Sequence, residues 1–234
     1  MDDGSLMLIR ADTDFTYNIR GRMLSSNEPR VSERRPAPRL FLGRTTDGHV
    51  LRFGASVPDD LAHRLEAIIN RQPPPGDLRA PPAAAAELRA ALESDAPITR
   101  EESGPAYRFP ATIVQSGDAV RLTAANRDLV RETFPWLYDE YADWQPCFAA
   151  VHGGAAVAVC FSARIGAQAA EAGVETLSEF RGHGYATAVT AAWGTAVQQA
   201  GLVPIYSTSW DNIASQGVAR KVGLVLFESS MSWA

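Results

Sequence analysis

Along the second half of the chain the apolar positions switch between two rhythms. Alternation with a period of two marks half-buried strands, and spacings of three and four mark one face of a helix. CFAAVHGGAAVAVCFSAR, residues 147–164, alternates on both sides of Gly153-Gly154 and predicts a hairpin. AAEAGVETL predicts a further strand, and YATAVTAAWGTAVQQAG a helix with Ala186, Val189, Trp193, Val197 and Ala200 on one side. PIYSTSW predicts a strand, NIASQGVARKVG a helix that stops at Gly223, and LVLFESSMSW a last strand.

The first half is less regular. Residues 1–38 show no sustained periodicity and end in the basic, proline-containing run SERRPAPRL, which predicts an irregular arm. LFLGRTTDGHVLRF sets two short apolar segments around Asp47-Gly48 and predicts a hairpin. Val57-Pro58-Asp59-Asp60 opens a helix bearing Leu61, Leu65, Ile68 and Ile69, which the triple proline at 73–75 ends. AAAAELRAALES predicts a second helix by propensity. FPATIVQ and AVRLTA, flanking Ser116-Gly117-Asp118, predict another hairpin, and Asn126 is placed to cap a helix through Val130, Phe134 and Leu137 that Pro135 bends or ends.

The order of elements defines an α/β (α+β) fold, a mixed sheet flanked by helices. Three stretches follow from the pattern: the arm (1–38), a small N-terminal α/β region (39–115), and a longer unit (116–234). Composition changes this little, since 46% apolar and 21% charged residues are ordinary for a globular chain. A formal charge of -5 argues against a nucleic-acid footprint and suits a cationic small molecule. The acidic start MDDGSLMLIR and an apolar stretch from Cys147 to Ala163 broken by His152, Gly153, Gly154 and Ser162 predict no leader peptide, no membrane partner and a cytoplasmic protein. Monomer and homodimer are both compatible with the pattern. Cys147 and Cys160 lack the spacing of a zinc site, so no metal is expected. A two-residue turn at Gly153-Gly154 would set the two thiols opposite each other; two buried thiols are the alternative, favoured by a reducing compartment.

The chemistry concentrates in RGHGYA, Arg181 to Ala186. A strand, a glycine loop and a helix start present free N–H groups and the positive end of a helix dipole to an anion. Gly182 and Gly184 let the backbone approach closely, while Arg181 supplies either a positive side chain or a shape-fixing hydrogen bond. Dinucleotide and nucleoside-triphosphate motifs fit worse, because Thr187 stands where a third glycine would be and no GxxxxGK[ST] occurs.

VETLSEFRGHGYA resembles the segment of GNAT N-acetyltransferases in which a strand, a short acidic loop, RGxGxA and a helix follow without gaps. WDNIASQGVARKVGL, beginning about 25 residues further on, is similar to that family's later asparagine-containing helix. The resemblance spans roughly residues 118–234 and implies a GNAT-like, mostly antiparallel sheet flanked by helices. It implies an acetyl-CoA-dependent N-acetyltransferase acting on a primary amine of a small molecule or peptide by direct attack on the thioester. Residues 39–115 would then cap the acceptor site. Arg181, Gly182, His183, Gly184, Tyr185 and Ala186 would hold pyrophosphate. Val174, Glu175 and Thr176 would pair by backbone with the pantetheine arm, and Asn212 would contact the same arm or the thioester region. A backbone N–H at Thr176 or Leu177 would meet charge developing on the thioester oxygen.

An alkylamine has a pKa near 10.4, so attack needs a base. Alternation puts Glu171 and Glu175 on one strand face, roughly 13 Å apart, as alternatives rather than a pair. Glu175 is the candidate. The family's usual thiolate-protonating tyrosine falls at Ala219 in this sequence. Ser215, Tyr206 or Tyr185 could stand in, and the gap also admits a non-catalytic CoA-binding or regulatory module.

Overall fold

The computed structural model describes residues 1–234. Its strands are β1 (Phe15–Tyr17), β2 (Met23–Ser26), β3 (Leu40–Thr45), β4 (Gly48–Phe53), β5 (Glu101–Arg108), β6 (Val120–Arg121), β7 (Phe148–His152), β8 (Ala155–Ile165), β9 (Ala169–Thr176), β10 (Val203–Ser207) and β11 (Val225–Trp233). Its helices are α1 (Asp3–Asp14), α2 (Asp59–Asn70), α3 (Ala85–Glu93), α4 (Pro135–Glu140), α5 (Tyr185–Gln199) and α6 (Ile213–Val222). Nine strands form one sheet in the order β4-β3-β11-β5-β10-β9-β8-β7-β6, and β1 and β2 form a separate ribbon. Every neighbouring pair is antiparallel except β9 and β10. This is the mixed sheet flanked by helices that the pattern predicts, with the mostly antiparallel pairing that the resemblance implies.

Alternation along the strands sends side chains into layers on both faces. On one face, α5 and α6 pack Val189, Trp193, Val197, Ala219 and Val222 against Ala158, Cys160 and Ala170. On the same side α2 and α3 cover Leu40, Leu42 and Trp233. On the other face, α1 buries Leu6, Met7 and Ile9 against Ala106, Ile205 and Phe227. Beside it, α4 and the 3-10 turn Arg127–Val130 cover Val159 and Phe161 with Val130, Phe134 and Leu137.

Helix α1 replaces the irregular arm expected for residues 1–38. Asp2 caps it by accepting a 2.8 Å hydrogen bond from the Ser5 backbone N–H. Its sheet-facing positions include Arg10, Thr13 and Asp14, so the buried stripe does not read as apolar. The hairpin expected around Ser116-Gly117-Asp118 does not form. Its first arm is irregular, with Pro110 able to give no ladder hydrogen bond, and the second is reduced to β6. Asn126 spends its side chain on the Thr123 N–H, 2.7 Å away, instead of capping a helix, and Pro135 divides that segment into a 3-10 turn and α4.

The predicted turn at Gly153-Gly154 is present, both glycines having positive φ. A bulge between Ala150 and Val151 then shifts the register by one, so that Cys160 faces Phe148. Cys147 points into the α4 side and Cys160 into the α5 side, which rules out a disulfide between them and leaves two buried free thiols.

Candidate functional site

The single parallel pair positions the site. β9 and β10 are joined only through Val203–Ala169, Pro204–Ala170 and Ile205–Glu171. Beyond Glu171 they part, while β9 stays paired to β8 as far as Thr176. The β10-facing backbone edge of residues 172–176 is thereby left open. The gap widens into a cleft of about 1010 Å³.

At the end of β9 the chain turns through Gly182 and Gly184, with φ of 85° and 90°, into α5. Gly184 is the residue before the first helical turn, and its carbonyl accepts the first helical bond, from Ala188. None of the backbone amides from Gly182 to Thr187 donates to a protein acceptor. Six adjacent N–H groups at a helix N-terminus form a cradle for an anion. Arg181 shapes this cradle, since its Nε donates to the Thr176 carbonyl at 3.3 Å and ties the loop to the end of β9. Arg181, Arg220 and Lys221 line the cleft and make it electropositive. The sequence pointed to Arg220 and Lys221 only as cations at the end of a helix.

Val174, Glu175, Thr176, Leu177, Arg181, Gly182, Gly184, Tyr185, Ala186, Asn212 and Ser215 all line this cleft. His183 is not on its wall; its Nδ1 lies 3.0 Å from the Arg181 carbonyl, folding the ring back over the loop. Asn212 caps α6, its Oδ1 accepting from the Ser215 N–H at 3.0 Å. Thr133 and Phe134, leading into α4, and Trp136 in its first turn supply a wall that sequence reasoning did not assign.

Glu175 and Glu171 do share a face, with different surroundings. Glu171 is buried, pairs with Arg164 at 2.7 Å and accepts a hydrogen bond from Ser207. The Arg164 and Arg10 guanidiniums outweigh burial and hold its carboxyl below the ordinary value, which makes it a poor base. At Glu175 the cleft walls crowd the carboxyl without covering the residue. Burial pushes it above the ordinary value, opposed by a hydrogen bond from Trp136.

Across the gap, the Tyr206 hydroxyl lies 2.7 Å from the Ser215 hydroxyl. Burial pushes the phenol up to about 12, the Ser215 hydrogen bond acting the other way. Ala219 is fully buried, and its methyl group does not line the cleft.

The parallel strand pair thus opens beside an unpartnered helix N-terminus, an α/β arrangement with an electropositive cleft between two strands. Residues 117–229 match the model of the GNAT acetyltransferase family. Among solved structures, the chain is similar to an acetyltransferase from the GNAT family of Colwellia psychrerythraea. The identity is 15%, covering 87% of this chain and 82% of that one, with a TM-score of 0.49. It is also similar to a GCN5-related N-acetyltransferase-like protein from Streptococcus suis, at 17% identity over 91% and 89% of the two chains, with a TM-score of 0.49. No curated protein matches the sequence. No helix is long and apolar enough to cross a membrane, and no group of acidic, histidine or cysteine side chains is arranged to hold a metal.

Proposed function

We propose that the chain transfers the acetyl group of acetyl-CoA to the primary amine of a small molecule or peptide. The observation that carries this reading is the departure of β10 from β9 directly beside six unpartnered amides, Gly182 to Thr187. The amides suit a pyrophosphate, Arg220 and Lys221 suit further phosphate charge, and the free edge of Val174 to Thr176 suits the amides of a pantetheine arm. The co-substrate supplies an activated thioester. Glu175 takes a proton from the amine, directly or through water, and the Tyr206–Ser215 hydroxyl pair returns one to the departing sulfur. A backbone N–H at Thr176 or Leu177 meets the charge developing on oxygen. Two buried thiols that cannot pair with each other fit a cytoplasmic setting.

The test is release of free thiol from acetyl-CoA across a panel of amines, amino acids and peptides, with acetyl-CoA binding measured separately by calorimetry. Turnover with at least one acceptor supports the reading. Ala219 favours a second one, a non-catalytic CoA-binding module, and tight binding without turnover on any acceptor would select it.

A further inference from the structure

Tyr206 and Ser207 are adjacent on β10 and face opposite sides of the sheet. Tyr206 lines the cleft described above, whereas Ser207 lines a second cavity of about 350 Å³ under α1. Arg10, Asp14 and Arg164 lie at its floor, and the exposed Arg35, Arg100 and Glu102 lie at its mouth. Seven hydroxyl side chains line the space between, and only two lining residues, Phe15 and Phe41, are hydrophobic.

The floor is built from charges whose hydrogen bonding is incomplete. Arg10 lies 2.8 Å from Glu228 and 3.3 Å from Asp14, and Arg164 lies 2.6 Å from Glu28 and 2.7 Å from Glu171. Two guanidiniums thus face four carboxyl groups. After these pairings, buried Asp14 Oδ1 and Glu28 Oε2, both from residues that line the cavity, still lack a donor, and Arg10 Nε and Arg164 Nε lack an acceptor. Asp14 and Arg10 are each more than nine-tenths buried. Unpaired buried polar atoms of this kind are destabilising unless a further group meets them. The excess of acceptors favours a cation, while the guanidiniums and hydroxyls favour an accompanying anion.

Size restricts the class. At about 30 Å³ per water, the cavity admits roughly a dozen water-sized groups, too few for a folded peptide or a coenzyme. Its floor meets the closed end of the strand gap through the Ser207–Glu171 hydrogen bond, because Glu171 is the last β9 residue paired with β10.

We propose that this cavity binds a zwitterionic amine of amino-acid size, with its ammonium toward Asp14 and Glu28 and its carboxylate toward Arg35 and Arg100, and that this molecule is the acyl acceptor. The acceptor role rests on the acetyl-transfer reading; the binding does not. In the transfer, the amine nitrogen forms the C–N bond as the C–S bond breaks, and the electron pair leaves with sulfur. Of the two protons the ammonium loses, one is balanced by protonation of the thiolate and one passes to solvent.

Calorimetry and thermal shift with free L-amino acids, set against the corresponding decarboxylated amines and deaminated acids, test the assignment. At least one amino acid should bind ten-fold or more tightly than either truncated analogue. Glu28→Gln and, at the exposed mouth, Arg35→Ala should each weaken it by ten-fold or more with acetyl-CoA affinity unchanged. The zwitterion assignment is overturned if no amino acid binds at millimolar concentration, if the decarboxylated amines bind as well, or if both variants bind like wild type. An amino acid that binds but is not acetylated by protein able to bind acetyl-CoA overturns the acceptor role. Loss of acetyl-CoA binding alone counts against the proposed function and leaves the cavity's ligand class standing.

Discussion

The hydroxyls of Tyr206 and Ser215 stand 2.7 Å apart on the wall of the cleft, one on β10 and the other in the first turn of α6. Ala219, one turn further along α6, is buried, and under the proposed acetyl transfer the hydroxyl pair takes the proton donor's place. Tyr206→Phe should lower kcat about 10- to 100-fold, with acetyl-CoA affinity unchanged. Ser215→Ala should act in the same direction and less strongly. The double variant should cost less than the product of the two, because they form one path. With its pKa near 12, Tyr206 stays protonated through pH 10, so no alkaline fall in rate below that pH should be traceable to it. A Tyr206→Phe enzyme with full kcat would remove the pair from the chemistry.

Glu175 must be ionised to accept a proton, and burial raises its pKa. The rate should therefore decline as pH falls through that raised value. In Glu175→Gln the acid limb should disappear from the pH–rate profile, and kcat at neutral pH should drop about 100-fold. An unchanged acid limb would assign the base elsewhere. Glu171 is a poor substitute, because its two arginine neighbours hold it low.

The proposed phosphate cradle is built from backbone N–H groups, so it depends on the conformation of the loop. An added Cβ at Gly182 or Gly184 meets no atom within 4 Å, yet both have left-handed φ. Alanine at either position costs about 1–2 kcal/mol in strain or forces the loop to another shape. Titration should show acetyl-CoA bound at least ten-fold more weakly by Gly184→Ala. Gly21→Ala, at the β1–β2 turn where φ is 71° and an added Cβ also meets no atom, serves as the control and should leave that affinity intact. Equal losses in both variants would mean that general destabilisation, not the cradle, is being read.

That loop was legible in the sequence because glycines mark the positions where the backbone must turn left-handed, and the strands and helices around it are cleanly alternating or amphipathic. The second cavity was not. It is assembled from α1, the segment from β1 to β3, β5, β8, β10 and β11, and several of the residues that form it violate the patterns by which elements are recognised. Arg10 and Asp14 occupy buried positions of α1, so the helix read as an arm. β5 contains Gly104 and Pro105 and begins with three exposed polar residues, yet it is a central strand. Gly104 is required there because a Cβ would fall 1.8 Å from the Thr208 carbonyl. Cys147 and Cys160 are the two buried thiols that the sequence favours, and the opposed placement that a regular hairpin would give is prevented by a one-residue bulge that periodicity alone does not reveal.

The same buried charges that hid α1 should make stability depend on pH in a recognisable direction. Glu228 is fully buried, and loss of solvent pushes its carboxyl up to about 7 despite Arg10; Asp14 is raised as well. Between the ordinary carboxylate value and about 7, the folded chain holds protons that the unfolded chain has released. Stability must fall as pH rises through that window, by on the order of 3 kcal/mol for Glu228. Glu171 and Glu28 are lowered, so their contributions change only at more acidic pH and do not cancel the effect. Thermal unfolding should give a Tm at pH 8 roughly 5–10 °C below that at pH 5.5. In Glu228→Gln, which keeps the shape and cannot ionise, most of that difference should vanish and only the share due to Asp14 should remain. If wild type and variant shift equally between the two pH values, the Arg10–Glu228 pair is fully ionised in the fold and the proton is held elsewhere.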